Sequence, residues 1–341
     1  MSSSCWLITG GCGFIGTRLV GALRDSGLNV GIRVVDNLAV GALDDLRRTA
    51  PVDTAEVGSE EFPAPRPDRV QFVQADILDA PTMLRVARGS EVVVHLAANT
   101  GVAPSVEDPR GDCMANVIGT LNALEGARHA GARRFIFASS GAPVGETTPP
   151  IHEEIVPHPV SPYGASKLAG EGYCAAYART FGLETVALRF GNVYGPGSKH
   201  KSSVVAKFIR DALSEGVLRI NGDGGQTRDF IYVDDLVGAV VAAAARAAVG
   251  GEVFQIATER ETSISELAEL MIAKLPDFGV PAPRVVFDRP RSGDVRRNFS
   301  DTRKARDRLG WRATTTLEEG IEKTIRWYIE SARPDLRQTA V

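Results

Sequence analysis

Residues 9–16 read TGGCGFIG and join a short apolar run to a longer amphipathic stretch. Glycines stand at positions 10, 13 and 16, three residues apart. Glycine permits a tight turn and lets a ligand approach the backbone closely. The free N–H groups at the start of the following helix can then bind a pyrophosphate. The stretch therefore predicts a strand, a turn and a helix that together bind a dinucleotide.

A carboxylate follows at a distance that fits such a site. The predicted second strand, residues 32–35, leads into Asp36, which lies 20 residues after Gly16. A carboxylate in this position accepts hydrogen bonds from the ribose hydroxyls. It would repel a 2′-phosphate, and neither Asn37 nor the next two residues supply a cation to offset that repulsion. The predicted cofactor is NAD and not NADP.

The first 190 residues alternate short β-branched runs with longer helical stretches. The predicted strands lie at 6–8, 32–35, 70–73, 91–96, 135–138 and 184–189. Uninterrupted apolar strands separated by helices favour a parallel sheet covered on both faces. We predict an α/β fold in which residues 1–190 form a Rossmann-type doubly wound parallel sheet that binds NAD, with a further strand returning near 253–257.

The remaining segments differ in composition. Residues 49–68 contain four prolines and several acids, and we expect an exposed loop there. Glycine and proline become more frequent after residue 190, which predicts a smaller α/β substrate-binding lobe over residues 191–330. Residues 331–341 are expected to be a frayed tail.

Composition excludes several classes of function. The chain has 341 residues, 43% of them hydrophobic, and a formal net charge of −3. This charge gives no general attraction to nucleic acid or to an anionic membrane. The four cysteines are widely spaced and form no CxxC pair, so neither a disulfide framework nor a metal site is expected. With no basic N-terminal region typical of a signal peptide, we expect a cytoplasmic protein.

A YxxxK pattern occurs at Tyr163 and Lys167, directly after Pro162. If Pro162 opens a helix, the two side chains are i and i+4 and lie on one face. A tyrosine with a pKa near ~10 is a poor base at neutral pH, but a nearby ammonium and an oxidised nicotinamide both favour its phenolate. The alternative is an interfacial tyrosine beside a solvated lysine. The glycine stretch upstream favours the catalytic interpretation.

Together these motifs resemble an extended short-chain dehydrogenase/reductase of the nucleotide-sugar epimerase/dehydratase group. The resemblance extends from TGGCGFIG to RLGW at 308–311, and it places Asn116 where the family stabilises its central helix. It also implies a homodimer in which helices near 112–130 and 162–181 pair. With the glycine stretch, it predicts cofactor contacts from Gly10, Gly13, Phe14, Ile15, Gly16, Asp36, Asn37, Asp76, Ile77, Leu96, Ala97, Ala98, Tyr163, Lys167 and Phe190.

The resemblance also implies a reaction. It assigns catalysis to Ser140, Tyr163 and Lys167, with Ser140 binding the reacting hydroxyl. Related dehydratases follow this serine with acids, whereas this chain has Gly141 and Ala142. The predicted activity is therefore C4 epimerisation of a UDP-hexose through a transient 4-keto sugar, acting on UDP-glucose/UDP-galactose or UDP-glucuronate/UDP-galacturonate. The alternatives are a dehydratase or reductase of the same group, or a non-catalytic NAD-binding scaffold.

One local departure affects the loop after the serine. This chain has Pro143-Val144-Gly145 where the family often has Val-Tyr-Gly.

The predicted substrate contacts follow from the same resemblance. They are Ser140, Asn192, Lys199, Arg228, Arg291, Asp294 and Asn298. Arg228 and Arg291 are expected to bind the diphosphate, because a guanidinium can hold phosphate oxygens in a bidentate way. Lys199 either pairs with a C6 carboxylate, which would indicate a uronate, or belongs to a solvated loop. Asn298 stands where some relatives have a large aromatic, which leaves room for a 2-acetamido group.

Overall fold

The computed structural model describes residues 4–199, 203–290 and 295–332. Its strands are β1 Cys5–Thr9, β2 Gly31–Asp36, β3 Val52–Ala55, β4 Val70–Gln74, β5 Val92–His95, β6 Arg134–Ser140, β7 Glu184–Phe190, β8 Asn192–Tyr194, β9 Val217–Asn221, β10 Thr227–Arg228, β11 Phe230–Tyr232, β12 Glu252–Ile256, β13 Thr262–Ser263 and β14 Arg284–Asp288. Eight of them form one parallel sheet in the order β12-β7-β6-β5-β1-β2-β4-β3. The predicted α/β fold with a doubly wound parallel sheet is confirmed.

The helices cover both faces of this sheet and also build the region beyond it. They are α1 Phe14–Asp25, α2 Leu43–Thr49, α3 Ala80–Val86, α4 Val102–Glu107, α5 Pro109–Cys113, α6 Gly119–His129, α7 Pro162–Phe181, α8 Val204–Glu215, α9 Val233–Ala245, α10 Ile264–Lys274 and α11 Leu317–Ala332. Single 3₁₀ turns occupy Ala142–Val144 and Leu275–Phe278, and single π-helical turns occupy Met114–Ile118 and Ala305–Leu309. None of the helices in the described residues is long and apolar enough to cross a membrane.

The packing of β1 shows that both faces of the main sheet are buried. Trp6 and Ile8 of β1 pack on one face in the same cluster as Leu19 of α1. Leu7, between them, packs on the opposite face with Leu124 of α6. Successive side chains of a strand point to opposite faces, so a strand buried on both sides needs an unbroken apolar run. The sequence of β1, CWLIT, has this property and is buried throughout.

The strand order places the candidate site. β1 pairs with β2 on one side and with β5 on the other, so the direction of winding reverses at β1. Ligands of open α/β sheets bind outside the carboxyl ends of the strands at such a reversal. β1 ends at Thr9, β2 at Asp36 and β6 at Ser140, and these ends lie at the same edge. The residues that the sequence singled out therefore converge.

The segment 49–68 is not only a loop. It contains β3, which pairs in parallel with β4 at the edge of the sheet. β3 has the sequence VDTA, its middle residues are exposed, and Asp53 pairs with Arg69. An edge strand with a charged residue and an adjacent proline carries little of the apolar pattern that marks a buried strand. The expectation of an exposed loop was therefore wrong for residues 52–55.

Beyond β7 the described residues form three two-stranded sheets, β8 with β11, β9 with β14 and β10 with β13. A separate core there includes Tyr194, Phe208, Leu267 and Ile321. Helix α9, although it lies in the same part of the sequence, packs in the core of the main sheet. β12 pairs with β7, as expected for a returning strand.

Candidate active site

The glycine stretch forms the turn between β1 and α1. Gly10 has a φ of +70°, and a Cβ there would lie 2.7 Å from the backbone nitrogen of Ala97. A Cβ on Gly16 would lie 2.5 Å from the carbonyl oxygen of Gly10. Gly13 is the N-cap residue of α1 and has no side chain with which to cap this helix. Glycine is thus required for the close packing, and the first N–H groups of α1 remain available to a pyrophosphate.

Asp36 holds the end of β2 beside this turn. Its carboxylate accepts hydrogen bonds from the backbone N–H of Cys12 at 2.9 Å and of Leu38 at 2.8 Å. Burial raises the pKa of Asp36, although these two N–H groups oppose the shift. Next to it, Asn37 donates a hydrogen bond to the carboxylate of Asp76 at 2.9 Å. The arrangement fits an adenine ribose bound between the ends of β2 and β4.

A cavity of about 890 Å³ runs from this turn to the ends of β6 and β7. All the residues predicted to contact the cofactor line it: Gly10, Gly13, Phe14, Ile15, Gly16, Asp36, Asn37, Asp76, Ile77, Leu96, Ala97, Ala98, Tyr163, Lys167 and Phe190. Ser140 and Asn192 line the same cavity. The residues present therefore fit a bound dinucleotide with its reactive end near Ser140 and Tyr163.

The start of α7 presents the predicted catalytic pair. The hydroxyl of Ser161 accepts a hydrogen bond from the N–H of Gly164 at 3.1 Å, and Pro162 occupies the first turn. Lys167 is buried, and its Nζ donates to the carbonyl oxygen of Ala138 at 2.9 Å. The same Nζ lies 5.9 Å from the ring centroid of Tyr163. The two residues thus share one helix face, as the i, i+4 spacing predicts.

The electrostatics of Tyr163 determine when it can act as a base. Burial raises the pKa of Tyr163, the carboxylate of Asp112 adds to this shift, and a hydrogen bond from Ser140 opposes it. The hydroxyl oxygen of Ser140 accepts the N–H of Ala142 at 3.2 Å, so its own hydrogen can point toward Tyr163. Burial and Asp112 therefore favour the neutral phenol, and the positive charge of an oxidised nicotinamide would favour the phenolate.

Asn116 ties the surrounding elements together. Its side-chain oxygen accepts the N–H of Asn99 at 2.8 Å, and its Nδ2 lies within hydrogen-bond distance of Asn99, Asp112 and Ser166. Ser166 in turn donates to the carbonyl oxygen of Tyr163 at 3.0 Å. This network connects the loop after β5 with the first turn of α7. These hydrogen bonds give Asn116 a structural role, which is the kind of role that the family resemblance predicts at this position.

The remaining predicted substrate residues are not among those that line the cavity, or they lie outside the described residues. The side chain of Arg228 donates to the carbonyl oxygens of Thr227 and Val295, both at 2.7 Å. The Nζ of Lys199 lies 3.3 Å from the carboxylate of Asp45 in α2. Arg291 and Asp294 lie outside the described residues.

Asn298 and the loop after Ser140 lie next to each other. The Nδ2 of Asn298 lies 3.9 Å from the position that a Cβ on Gly141 would take. The departure at Pro143-Val144-Gly145 is accommodated in the 3₁₀ turn Ala142–Val144, in which Gly145 donates to the carbonyl oxygen of Ala142 at 3.2 Å and adopts a φ of +73°. Asn298 is therefore beside the end of β6 that carries Ser140.

Some lining residues carried no recognisable signal in the sequence. Asp45 and Arg48 of α2 and Trp327 of α11 also line the cavity. No motif marks them, because they reach the cavity only through the packing of elements distant in sequence. Asp112 was missed for the same reason, although it is a buried carboxylate that acts on the pKa of Tyr163.

Known proteins match both the sequence and this geometry. The model of the NAD dependent epimerase/dehydratase family matches residues 6–257. The UDP-glucose 4-epimerase of Mycolicibacterium smegmatis is 38% identical over 327 residues, which cover 94% of this chain and 97% of that protein. The UDP-glucuronate 4-epimerase of Thermodesulfobacterium geofontis is 29% identical over 330 residues, with 96% of each chain covered.

A solved structure agrees over nearly the whole chain. The UDP-glucose 4-epimerase from Thermotoga maritima, crystallised with UDP-glucose, superposes with a TM-score of 0.84 at 36% sequence identity. The match covers 96% of this chain and 100% of that chain. Since the family match spans the glycine turn, Asp36 and the Tyr163–Lys167 helix, the chain belongs to the NAD dependent epimerase/dehydratase family and is an enzyme with NAD as its cofactor.

Proposed function

We propose that this enzyme epimerises a UDP-hexose at C4 through a transient 4-keto sugar. One observation carries the proposal: Ser140, Tyr163 and Lys167 meet at the end of the cavity whose other end is formed by the glycine turn and Asp36. A substrate hydroxyl bound between Ser140 and Tyr163 would lie beside the nicotinamide end of the cofactor. This is the arrangement that proton removal coupled to hydride removal requires.

NAD⁺ held by the glycine turn and Asp36 would supply a reversible acceptor for the C4 hydride, so the reaction would involve no net redox change. Tyr163 accepts the proton of the C4 hydroxyl as the carbonyl forms and gives a proton back when the hydride returns. Ser140 binds the same oxygen and keeps it in line with Tyr163. Lys167 is held by the carbonyl oxygen of Ala138 and contributes a fixed positive charge near the phenol.

The residues after Ser140 favour epimerisation over elimination. Loss of water from a 4-keto sugar needs an acid near the leaving hydroxyl. Gly141 and Ala142 supply none, and Asn298, which lies near Gly141, is a neutral amide. The scaffold alternative is disfavoured because a protein that only binds NAD has no need of a buried lysine beside a tyrosine and a serine.

Residues 191–330 are proposed to hold the nucleotide half of the substrate. Asn192 lines the cavity, and Arg228, whose Nη1 donates to two backbone carbonyls, is a candidate diphosphate ligand. Arg291 remains the predicted second diphosphate ligand, and Asp294 remains predicted to lie toward the nucleoside ribose. We place UDP-glucose and UDP-galactose first among substrates, since the relative that is 38% identical is named for that sugar.

A homodimer is proposed from the exposed apolar residues on the helices around α7. Val106 is 61% exposed and Phe181 is 50% exposed, and Val102, Met114, Ile118 and Tyr173 add to the same group of helices. Large exposed apolar side chains on neighbouring helices are typical of an interface. Light scattering of the purified protein should give twice the chain mass of 36.4 kDa; a monomer at micromolar concentration would contradict this.

Product analysis tests the proposed function. The purified protein is incubated, without added NAD, with UDP-glucose, UDP-galactose, UDP-glucuronate or UDP-N-acetylglucosamine, and the products are identified by NMR. We expect the C4 epimer of at least one pair, with the same equilibrium mixture reached from both members. A 4-keto-6-deoxy product, stoichiometric NADH, or no conversion of any of the four would refute the proposal.

A further inference from the structure

A buried ion pair lies directly behind the catalytic residues. Glu171 of α7 and Arg189 of β7 are 5% and 3% exposed, and the two side chains form a bidentate pair with both N–O distances at 2.8 Å. Ser139 donates a hydrogen bond to the same carboxylate at 2.6 Å. A charge buried to this degree has a large desolvation cost, so its retention calls for a reason beyond stability.

The positions of these three residues supply that reason. Ser139 and Arg189 are paired neighbours on β6 and β7, and the next pair along the two strands is Ser140 with Phe190. Glu171 lies one helical turn beyond Lys167 and two turns beyond Tyr163, on the same face of α7. The three residues therefore connect β6 and α7, which carry the proposed catalytic residues, with β7. Ser139 is one residue from Ser140. Glu171 is one helical turn from Lys167 and two turns from Tyr163.

We propose that Ser139, Glu171 and Arg189 act as positioning residues that fix the hydroxyl of Ser140 relative to that of Tyr163. The hydrogen bond from Ser139 to Glu171 anchors the end of β6 to α7, and the ion pair anchors the end of β7 to the same helix. Proton transfer between a substrate hydroxyl and Tyr163 requires donor and acceptor to be held within fractions of an ångström, and a displacement of about 1 Å can cost 10²-fold in rate.

The same pair of strands contains a control pair far from the site. Arg134, fully buried at the opposite end of β6, pairs at 2.7 Å with Glu184 of β7, which is 41% exposed. These residues are six positions from Ser140, about 20 Å at ~3.3 Å per residue. Loss of this pair should affect stability without moving the hydroxyl of Ser140. The variants Glu184→Gln and Glu171→Gln therefore separate a positioning role from a purely structural one.

The kinetic arm of the test compares Ser139→Ala, Glu171→Gln and Glu184→Gln, and it rests on the proposed function. We expect kcat to fall about 10-fold in Ser139→Ala and about 100-fold in Glu171→Gln. KM for the sugar nucleotide and the content of bound NAD should stay within about two-fold of the wild type, because neither site is dismantled. Glu184→Gln should lower the melting temperature without changing kcat per mole of folded protein.

A structural arm needs no substrate and remains valid if the proposed function fails. Crystal structures of the wild type, Ser139→Ala and Glu184→Gln with NAD are compared for the separation between the hydroxyls of Ser140 and Tyr163. We expect an increase of at least about 0.5 Å in Ser139→Ala and none in Glu184→Gln. Ser139→Ala keeps the ion pair, so this variant tests the positioning role even if Glu171→Gln does not fold. An unchanged separation in Ser139→Ala, or kcat values equal to that of Glu184→Gln, would overturn the proposal.

Discussion

Replacing Gly16 by alanine should weaken binding of the cofactor, whereas the same replacement at Gly21 of the same helix should not. A Cβ at position 16 would lie 2.5 Å from both the carbonyl oxygen of Gly10 and the Cα of Gly11, which are backbone atoms. Restoring ordinary contact requires the start of α1 to move by about 0.9 Å, and overpacking of this kind costs about 1–3 kcal/mol. Among the described residues, a Cβ at Gly21 would come within 4 Å of the methyl group of Thr49 alone, at 3.4 Å.

The change at Gly16 affects NAD affinity because the start of α1 is expected to bind the pyrophosphate. Displacement of the first N–H groups of α1 weakens pyrophosphate binding, and 1–3 kcal/mol corresponds to roughly a 5- to 150-fold loss of affinity. Gly21→Ala should instead raise the unfolding free energy by about 0.5–1 kcal/mol, as expected for alanine in a helix interior. NAD released on denaturation and the melting temperature are measured for both variants. Full NAD content in Gly16→Ala, or equal loss in both variants, would refute the reasoning.

Three further changes have defined outcomes. Tyr163→Phe should lower kcat by at least about 10²-fold with NAD content unchanged, because it removes the proposed base alone; turnover near that of the wild type would exclude this role. Burial raises the pKa of Asp229 to about 6. The native state therefore holds this proton more tightly than the unfolded chain, and the resulting stability is present below about pH 4 and lost as the pH rises through about 6. Urea unfolding across this range should show that loss, of up to about 3 kcal/mol, in the wild type relative to Asp229→Asn, and parallel curves would contradict it. Lys199→Ala should lower kcat/KM for UDP-glucose and UDP-glucuronate by the same small factor, because Lys199 is partly exposed and pairs with Asp45; a selective loss on the uronate would instead assign Lys199 to C6.

The cofactor site could be predicted from the sequence because its determinants are local. Glycines at fixed spacing, Asp36 at the end of a strand, and Tyr163 and Lys167 on one helical turn each express a short-range geometric requirement. All the predicted cofactor contacts line one cavity in the folded chain. The doubly wound sheet could be predicted for a similar reason, since strands buried on both faces must be apolar throughout.

The substrate side depended on contacts that no local pattern records. The ion pair between Lys199 and Asp45 joins residues 154 positions apart, and Trp327 reaches the cavity from the last described helix. Glu171 and Arg189 are separated by 18 residues and meet only because β7 lies beside α7. Long-range pairs of this kind are fixed by the packing of whole elements, so sequence spacing alone does not reveal them.

The fate of the hydrogen at C4 tests the central claim most directly. UDP-glucose carrying deuterium at C4 is incubated with the purified enzyme in ordinary water without added NAD, and the product is analysed by NMR and mass spectrometry. If the hydride is removed and returned within one active site, UDP-galactose should retain the deuterium at C4, and no NADH should accumulate. Loss of the label to solvent, or one equivalent of NADH for each sugar converted, would contradict the account.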